Sequence, residues 1–410
     1  MERGKMSRSK HVLIIVQNLP VPFDRRVWQE ATSLQRGGFD VSVICPKKKI
    51  YTQSYERLAD VDIYRYPMLY DADKAAIGFA VEFVACWLAT LFLALKIFVR
   101  KPFHVIHACN PPDTYFALSW LFRPFGVKFI FDHHDLCPEM YVAKGKKESG
   151  LLYSTLLMLE RLTLRTAHRV IAVNTSHKDL AEKRAGISAS KITVVRSGPR
   201  RDWASADFKK NELKRGKSQM IVFLGEMGSQ DGVDHLLKAI RHYVDHYTQD
   251  VMFTLIGGGP EQGRMVKMAE ELEINPWTHF TGRISNDVEL REYLATADLC
   301  VAPDPYTNYG DMSTANKIIE YIAFGKAVVA YDLKEHRRTA EDAALYVESN
   351  SPIALSEGMN ALMADPARRA AMGEIGLERF RTGLCWEVSE QSLLKMYRDL
   401  LLPQSSVPKA

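Results

Sequence analysis

Apolar positions along the chain fall into short continuous runs separated by longer amphipathic stretches. Val12–Val16 is apolar without interruption, which predicts a strand buried on both faces. A Pro-bearing loop (Pro20, Pro22) follows. Asp24 then stands as an N-cap before a helix over Arg25–Arg36 that closes on Gly37-Gly38. Further strands are predicted at Val41–Cys45, Asp62–Tyr66, Val105–His107, Lys128–Phe131 and Val170–Val173, with helical stretches between most of them. The second half alternates in the same way, with a strand at Met220–Leu224, a helix over Asp231–Tyr243, and a strand at Phe253–Ile256 that ends in Gly257-Gly258-Gly259-Pro260. Strands at His279–Thr281, Leu299–Ala302 and Ala327–Ala330 complete it. Short apolar strands alternating with helices predict two parallel α/β sheets. Their boundary is expected in Arg200–Lys217, a polar stretch with seven basic residues.

One segment breaks the pattern. Ile77–Val99 is apolar on all sides, with only Glu82 and Lys96 charged, and is long enough to span a bilayer. The strands expected on either side of it belong to one sheet, and a spanning helix would put them on opposite sides of the membrane. The preferred reading is a helix that packs on the sheet and dips one face into a membrane surface. An ordinary core or dimer helix is the simpler alternative. Lys74, Lys96, Arg100 and Lys101 flank it, and the Lys47–Lys49 and Lys144–Lys147 clusters lie on the same half.

Composition is that of an ordinary globular protein: 410 residues, 47% hydrophobic and 25% charged, which argues against a disordered chain or a polytopic transporter. The net charge of +5 hides an asymmetry. Residues 1–200 carry 30 Lys+Arg against 18 Asp+Glu, and residues 201–410 carry 24 against 31. A basic first half points to an anionic partner. Basic residues gather around an apolar helix and not in an aromatic-interleaved stripe, which argues against nucleic acid. The six cysteines are scattered, with no CxxC pair and no His/Cys ligand spacing, so neither zinc nor a disulfide framework is expected. Free cysteines fit a reducing cytoplasm. The apolar run after the basic N-terminus is too short for a signal-peptide core.

Four stretches could carry chemistry. HACNPPD (His107–Asp113) and FDHHDLCPE (Phe131–Glu139) each follow a strand, and a turn there could aim an imidazole and a carboxylate at one point. The glycine run Ile256–Pro260 allows close backbone approach to a ligand at a helix start. In Gly310–Ala330, a loop leads into a helix whose first N–H groups could hold a diphosphate, with Lys317 and Glu320 on one face. No dinucleotide fingerprint or phosphate-loop motif is present.

In order, these motifs resemble the retaining glycosyltransferases of family four. The most specific are PVPFDRRVWQEA, HACNPPD, FDHHDLCPE, GSQDGVDHLL, IGGGPE and NKIIEYIAFGKAVVAYDLKEHR, and the likeness covers roughly 11–402. They are most similar to the branch that builds O-antigen and exopolysaccharide. The resemblance implies a GT-B fold, with two Rossmann-like domains facing a central cleft. After a basic tail at 1–10 come an acceptor domain at 11–203, a donor domain at 204–385, and a crossover helix and tail at 386–410. It implies transfer of a sugar from a nucleotide-sugar, UDP-sugar first, to a polyprenyl-diphosphate-linked glycan. The enzyme would be cytoplasmic, peripheral on the inner face of the membrane, and need neither metal nor cofactor.

Carried over residue by residue, Glu320 would bind the ribose. Ser313, Thr314, Asn316 and Lys317 would sit by the diphosphate and sugar. Gly258, Gly259, Glu261, Arg283 and Ile284 would line the base and diphosphate. The catalytic candidates are His107, His134 and Asp135, and the acceptor side would use Asn18, Arg25, Arg26, Asn110, Asp113 and Glu139. The chain departs from the pattern in three places. Met312 replaces the first Glu of the Glu-x7-Glu motif. Glu226 and Asp231 stand about where an Arg and a Lys are usual. Cys109 falls near the usual His. Diphosphate charge would then fall to Lys317, Arg283 and Arg196. Competing readings are a non-catalytic glycosyltransferase-like membrane subunit and a GT-B nucleotide-sugar 2-epimerase.

Overall fold

A computed structural model describes residues 9–48, 50–68 and 76–401, with 76–80 and Ala206 described by backbone alone. Lys49, Lys74, most of the basic tail and the segment after 401 lie outside the described residues. Contacts divide the chain into two units. The first holds 1–142, 146–195 and 389–410, and the second holds 143–145 and 196–388.

The first unit is built on eight strands: β1 (His11–Ile15), β2 (Asp40–Pro46), β3 (Tyr55–Leu58), β4 (Val61–Tyr66), β5 (Val105–Cys109), β6 (Lys128–His133), β7 (Arg169–Ala172) and β8 (Ile192–Val194). They lie in the order β3-β4-β2-β1-β5-β6-β7-β8. All are parallel except β3, which runs antiparallel to β4 at the edge. The order reverses direction at β1 and β5, and ligands bind outside the carboxyl ends of strands at such a switch point. Helix Arg25–Arg36 has the predicted bounds because its punctuation is strong. Asp24 accepts a hydrogen bond from the Val27 N–H at 3.1 Å, and Gly37 ends the helix.

The long apolar helix runs over Ala76–Arg100. Its Cys86, Thr90, Ala94 and Ile97 are buried against the sheet, and Phe98 meets the rings of Phe103, Phe122 and Phe125 at edge or tilted angles, with centroids 5.0–5.3 Å apart. The opposite face is exposed: Val81, Val84, Leu88, Phe92, Leu95 and Val99 recur every third or fourth residue and form one stripe. By length and composition, Val81–Arg100 could cross a membrane. Both of its ends lead into strands of the same sheet, however, and one whole face is occupied by that sheet.

The second unit has six parallel strands: β9 (Gln219–Leu224), β10 (Val251–Ile256), β11 (Thr278–Gly282), β12 (Leu299–Ala302), β13 (Val328–Tyr331) and β14 (Ala344–Val347), in the order β11-β10-β9-β12-β13-β14. Here the reversal falls between β9 and β12. The helix expected over Asp231–Tyr243 is Val233–His246, because Gly232 takes a left-handed conformation that stops it (φ 67°). That leaves Asp231 in the loop, where its Oδ2 accepts from the Gly228 N–H at 3.0 Å. The final helix, Trp386–Leu401, starts in the second unit and continues in the first from Ser389 on.

Candidate active site

In the first unit, the two polar clusters begin at the carboxyl ends of adjacent strands, and Asn110 ties them together. Its amide oxygen accepts from the backbone N–H of His134 and of Asp135, at 2.9 and 3.0 Å. Its amide nitrogen donates to the Asp135 carbonyl at 2.6 Å and to Asp113 Oδ1 at 3.0 Å. Asn110 therefore sets the path of the His134-Asp135 loop through the backbone, without touching either side chain.

Beneath this loop lies a buried network centred on Asp132. Arg26 grips that carboxylate with two parallel bonds, Nε to Oδ2 at 3.0 Å and Nη2 to Oδ1 at 2.8 Å. A third bond from Nη1 to the Val195 carbonyl at 3.0 Å fixes the guanidinium. One turn along its helix, Glu30 Oε1 is 3.1 Å from Arg26 Nη2. Glu30 Oε2 is 3.5 Å from His107 Nε2, and His107 Nδ1 is 2.7 Å from the Tyr397 hydroxyl. His134 Nδ1 is 3.1 Å from Asp132 Oδ2. Burial by itself would raise the Asp132 carboxyl, but Arg26 and His134 outweigh it and hold it well below the usual range. Burial and the neighbouring Asp132 push Glu30 up to about 7, against Arg26. Burial lowers His134, and Asp132 more than reverses this, to about 9.

These positions sort the expected residues. His134 and Asp135 are half-buried and reach the surface, whereas His107 is 0% exposed, with its ring nitrogens near Tyr397 and Glu30. His107, expected at the substrate, lies inside this network, between Glu30 and Tyr397. Arg26 is likewise buried by its grip on Asp132, while Arg25 and Asn18 are exposed. Asp113 is buried, held by Asn110 and pushed up to about 6 by burial. Glu139 is paired with Arg184, which also bonds Glu160 at 2.5 Å, and Glu160 in turn meets His133 at 3.0 Å. That chain of pairs braces the loop. Asp132 stands in the FDHHDLCPE cluster, whereas Glu30 and Tyr397 do not stand out in the sequence. The Arg26/Glu30 pair at i,i+4 is a local signal for Glu30. Single ligand atoms from Glu30, His107, Cys109 and Asp132 lie within 4.8 Å of one another, close enough to hold a metal ion. The Arg26 guanidinium already supplies positive charge at that point.

In the second unit, the loops after β9, β10 and β11 are stitched together by their backbones. Gly225 N–H bonds the Ile256 carbonyl, Met227 N–H the Gly258 carbonyl, Glu261 N–H the Met227 carbonyl and Gly257 N–H the Gly282 carbonyl, all at 2.9–3.0 Å. Gly257 (φ 135°) must be glycine here, since a Cβ would lie 1.8 Å from the Gly225 carbonyl oxygen. Beside these loops, Lys317 is buried, with Nζ 2.7 Å from Asp304 Oδ1 and 4.8 Å above the Phe223 ring. His336 Nε2 is 3.8 Å from Asp304 Oδ2. Burial pushes Asp231 up to about 6, with Lys317 opposing. Ser313 donates to the Tyr309 carbonyl at 2.8 Å, and Glu261 pairs with Arg264 at 2.5 Å. Thr314, Glu320, Ile284 and Gly259 are half-buried, Gly258 is buried, and Asn316 and Arg283 are exposed. Arg196, offered as a counter-charge, is drawn to Glu335 at 3.9 Å and lowered by burial. Lys317 reaches the strand ends already neutralised by Asp304, so the charge there is set by a cation between carboxylates.

Two family models match in tandem: residues 24–198 match the glycosyl transferase 4-like domain, and residues 205–379 match glycosyl transferases group 1. The chain is a family-four glycosyltransferase. Its fold is GT-B. Sucrose-phosphate synthase from Thermosynechococcus elongatus superposes with a TM-score of 0.75 over 95% of this chain and 99% of that one, at 19% identity. HepE from Anabaena, solved in complex with UDP and glucose, gives a TM-score of 0.71 over 95% and 100%, at 14% identity. In sequence, the glycosyltransferase is 24% identical to the alpha-maltose-1-phosphate synthase of Mycolicibacterium smegmatis, over 67% of this chain and 74% of that one. It is 25% identical to the lipopolysaccharide core biosynthesis glycosyltransferase LpsD of Rhizobium meliloti, over 44% and 48%.

Proposed function

We propose that the enzyme transfers a sugar, with retention, from a nucleotide-sugar to a lipid-linked glycan acceptor at the inner face of the cell membrane, in the synthesis of a surface polysaccharide. The observation that carries the acceptor side is the exposed apolar stripe from Val81 to Val99 on a helix whose other face is packed. A stripe of that length is costly in water and matches an interfacial helix. Lys96 and Arg100 are exposed on the same helix and favour an anionic leaflet. LpsD, named for lipopolysaccharide core synthesis, supports the polysaccharide setting.

The donor is proposed to lie at the carboxyl ends of β9–β12, where open α/β sheets take their ligands. HepE, of the same fold, carries UDP, which supports a UDP-sugar. Glu320 binds the ribose, and Ser313, Thr314 and Asn316 meet the diphosphate at the start of helix Asn316–Ala323, whose N-cap residue Ala315 offers no side-chain bond. Gly258, Gly259, Glu261, Arg283 and Ile284 line the base side. The leaving diphosphate is stabilised by fixed dipoles and by Lys317. The nucleotide-sugar is a substrate, and the reaction is proposed to need no metal or cofactor. The test is flotation with anionic vesicles combined with a nucleotide-sugar panel on lipid-linked glycan acceptors. Leu88→Gln/Phe92→Gln should lose vesicle binding while keeping a wild-type melting temperature. Absence of vesicle binding by the wild type would sink the membrane reading.

A further inference from the structure

We propose that Asp132 is the positioning residue for His134 and holds it as an imidazolium, so that His134 meets substrate as a fixed cation and not as a base. This rests on the reading of His134 as an active-site residue of the transferase.

The two ring nitrogens face different carboxylates. His134 Nδ1 lies 3.1 Å from Asp132 Oδ2, and Nε2 lies 4.0 Å from Asp135 Oδ2. A neutral ring carries one N–H and leaves a lone pair facing one of the two carboxylates. Only the doubly protonated ring turns an N–H toward each. A base working through Nε2 would need a lone pair where Asp135 already places negative charge.

Nor can Asp132 turn away. Both of its oxygens are engaged by Arg26, and Arg26 is pinned to the Val195 carbonyl. Asn110 fixes the His134 backbone from the other side. The charged and titratable groups facing His134 are Asp24, Arg26 and Glu30 from the first helix and its cap, Asp132 and Asp135 from its own segment, and His177 from helix Thr175–Ala185. Acidic groups outnumber Arg26 in this set, and the balance favours a charged ring. Asp132 is fully buried whereas the His134 side chain is 14% exposed, so of this ion pair only the cation reaches the surface, where Asp135 stands 4.0 Å from its Nε2. The chemical complement of that cation is a phosphate oxygen of a bound substrate.

The test is the titration of His134 by NMR in the full chain without substrate, joined to pH–rate profiles. Wild-type His134 is expected to titrate near 9, with Asp132→Asn moving it down by two units or more. The wild-type rate should be flat from pH 6 to 8, whereas that of Asp132→Asn should fall above pH 7. At pH 8, His134→Lys should retain at least tenfold more kcat/KM than His134→Gln. A wild-type ring that titrates near 6.5, or a rate that rises with pH through the neutral range, would overturn the proposal. So would a His134→Lys variant no better than His134→Gln. If Asp132→Asn does not fold, the wild-type titration and the two His134 variants still decide. The titration needs no turnover, so failure to find a sugar donor would count against the proposed function and leave this result standing.

Discussion

The hydroxyl of Tyr397 lies 2.7 Å from Nδ1 of His107, although the two residues stand 290 apart in the chain. Both are fully buried, and the bond fastens the terminal helix to the centre of the first sheet. Around it, the Tyr397 ring packs 5.6 Å from Phe39, and Arg36 pairs with Glu390 at 2.6 Å. Tyr397→Phe keeps the packing and leaves the imidazole nitrogen without its partner, so we expect a loss of about 1–2 kcal/mol. Urea unfolding followed by intrinsic fluorescence measures it. An unchanged midpoint would show that the bond contributes nothing net.

The Arg26–Asp132 pair is a different case, because removing one partner strands a charge. Arg26→Met should cost about 3–5 kcal/mol, as breaking a buried ion pair does. The double variant Arg26→Met/Asp132→Leu should be less destabilised than the sum of the single variants, since neither charge is then left alone. A double-mutant cycle in denaturant reads the coupling directly. Strict additivity would contradict the network.

Legibility in the sequence differs between fold and site. The apolar runs at Val12–Val16, Met220–Leu224 and Leu299–Ala302 announce central parallel strands because both faces are covered. Helix Arg25–Arg36 is legible to the residue because Asp24 and Gly37 punctuate it. Two edge strands, β3 and β14, carry no such signal. Tyr55–Leu58 reads YERL and is almost wholly exposed, and Ala344–Val347 is only partly buried, so no apolar run marks either one. At the site, HACNPPD and FDHHDLCPE are visible as polar clusters at strand ends, and they do fall on adjacent strands. Which histidine reaches solvent is not visible, since it depends on distant residues: Glu30 and Tyr397 lie against His107, whereas His134 stands in the loop after β6. The partners of Asp132 and Lys317 are hidden for a related reason. Arg26 is 106 residues from Asp132, and Asp304 meets Lys317 only once β12 and helix Asn316–Ala323 are packed.

In the second unit, two neighbouring glycines should behave oppositely. Gly257→Ala forces a Cβ to 1.8 Å from a carbonyl oxygen at a positive φ, so the loop must move. We expect a loss of about 2–3 kcal/mol and no nucleotide binding. At Gly258 a Cβ would sit 3.3 Å from Gln262 Oε1, the end of a flexible side chain. Gly258→Ala should melt as wild type does and lose affinity only for the nucleotide, if that face is covered by the donor. Calorimetric unfolding and nucleotide titration of both variants check the contrast.

Acid stability should report on His177, which burial lowers to about 3, with His133 adding to the effect. The unfolded ring titrates near 6.5, so below that pH the unfolded chain takes up a proton that the folded chain refuses. The stability this group supports is whole above pH 6.5 and is lost as pH falls toward 3. His177→Gln removes the term. Its destabilisation relative to wild type should therefore shrink by roughly 2 kcal/mol between pH 7.5 and pH 5. A constant difference between the two proteins across that range would show that His177 titrates normally.

Transfer of a sugar from a nucleotide diphosphate onto a membrane-borne glycan is read from the release of nucleoside diphosphate. The assay offers a panel of nucleotide-sugars together with lipid-linked glycan acceptors in anionic vesicles. Wild type and Glu320→Ala should be compared side by side. Turnover is expected with a UDP-sugar, dependent on the acceptor, and reduced at least a hundredfold in Glu320→Ala. A folded wild type that neither binds nor consumes any nucleotide-sugar would contradict the proposed transfer.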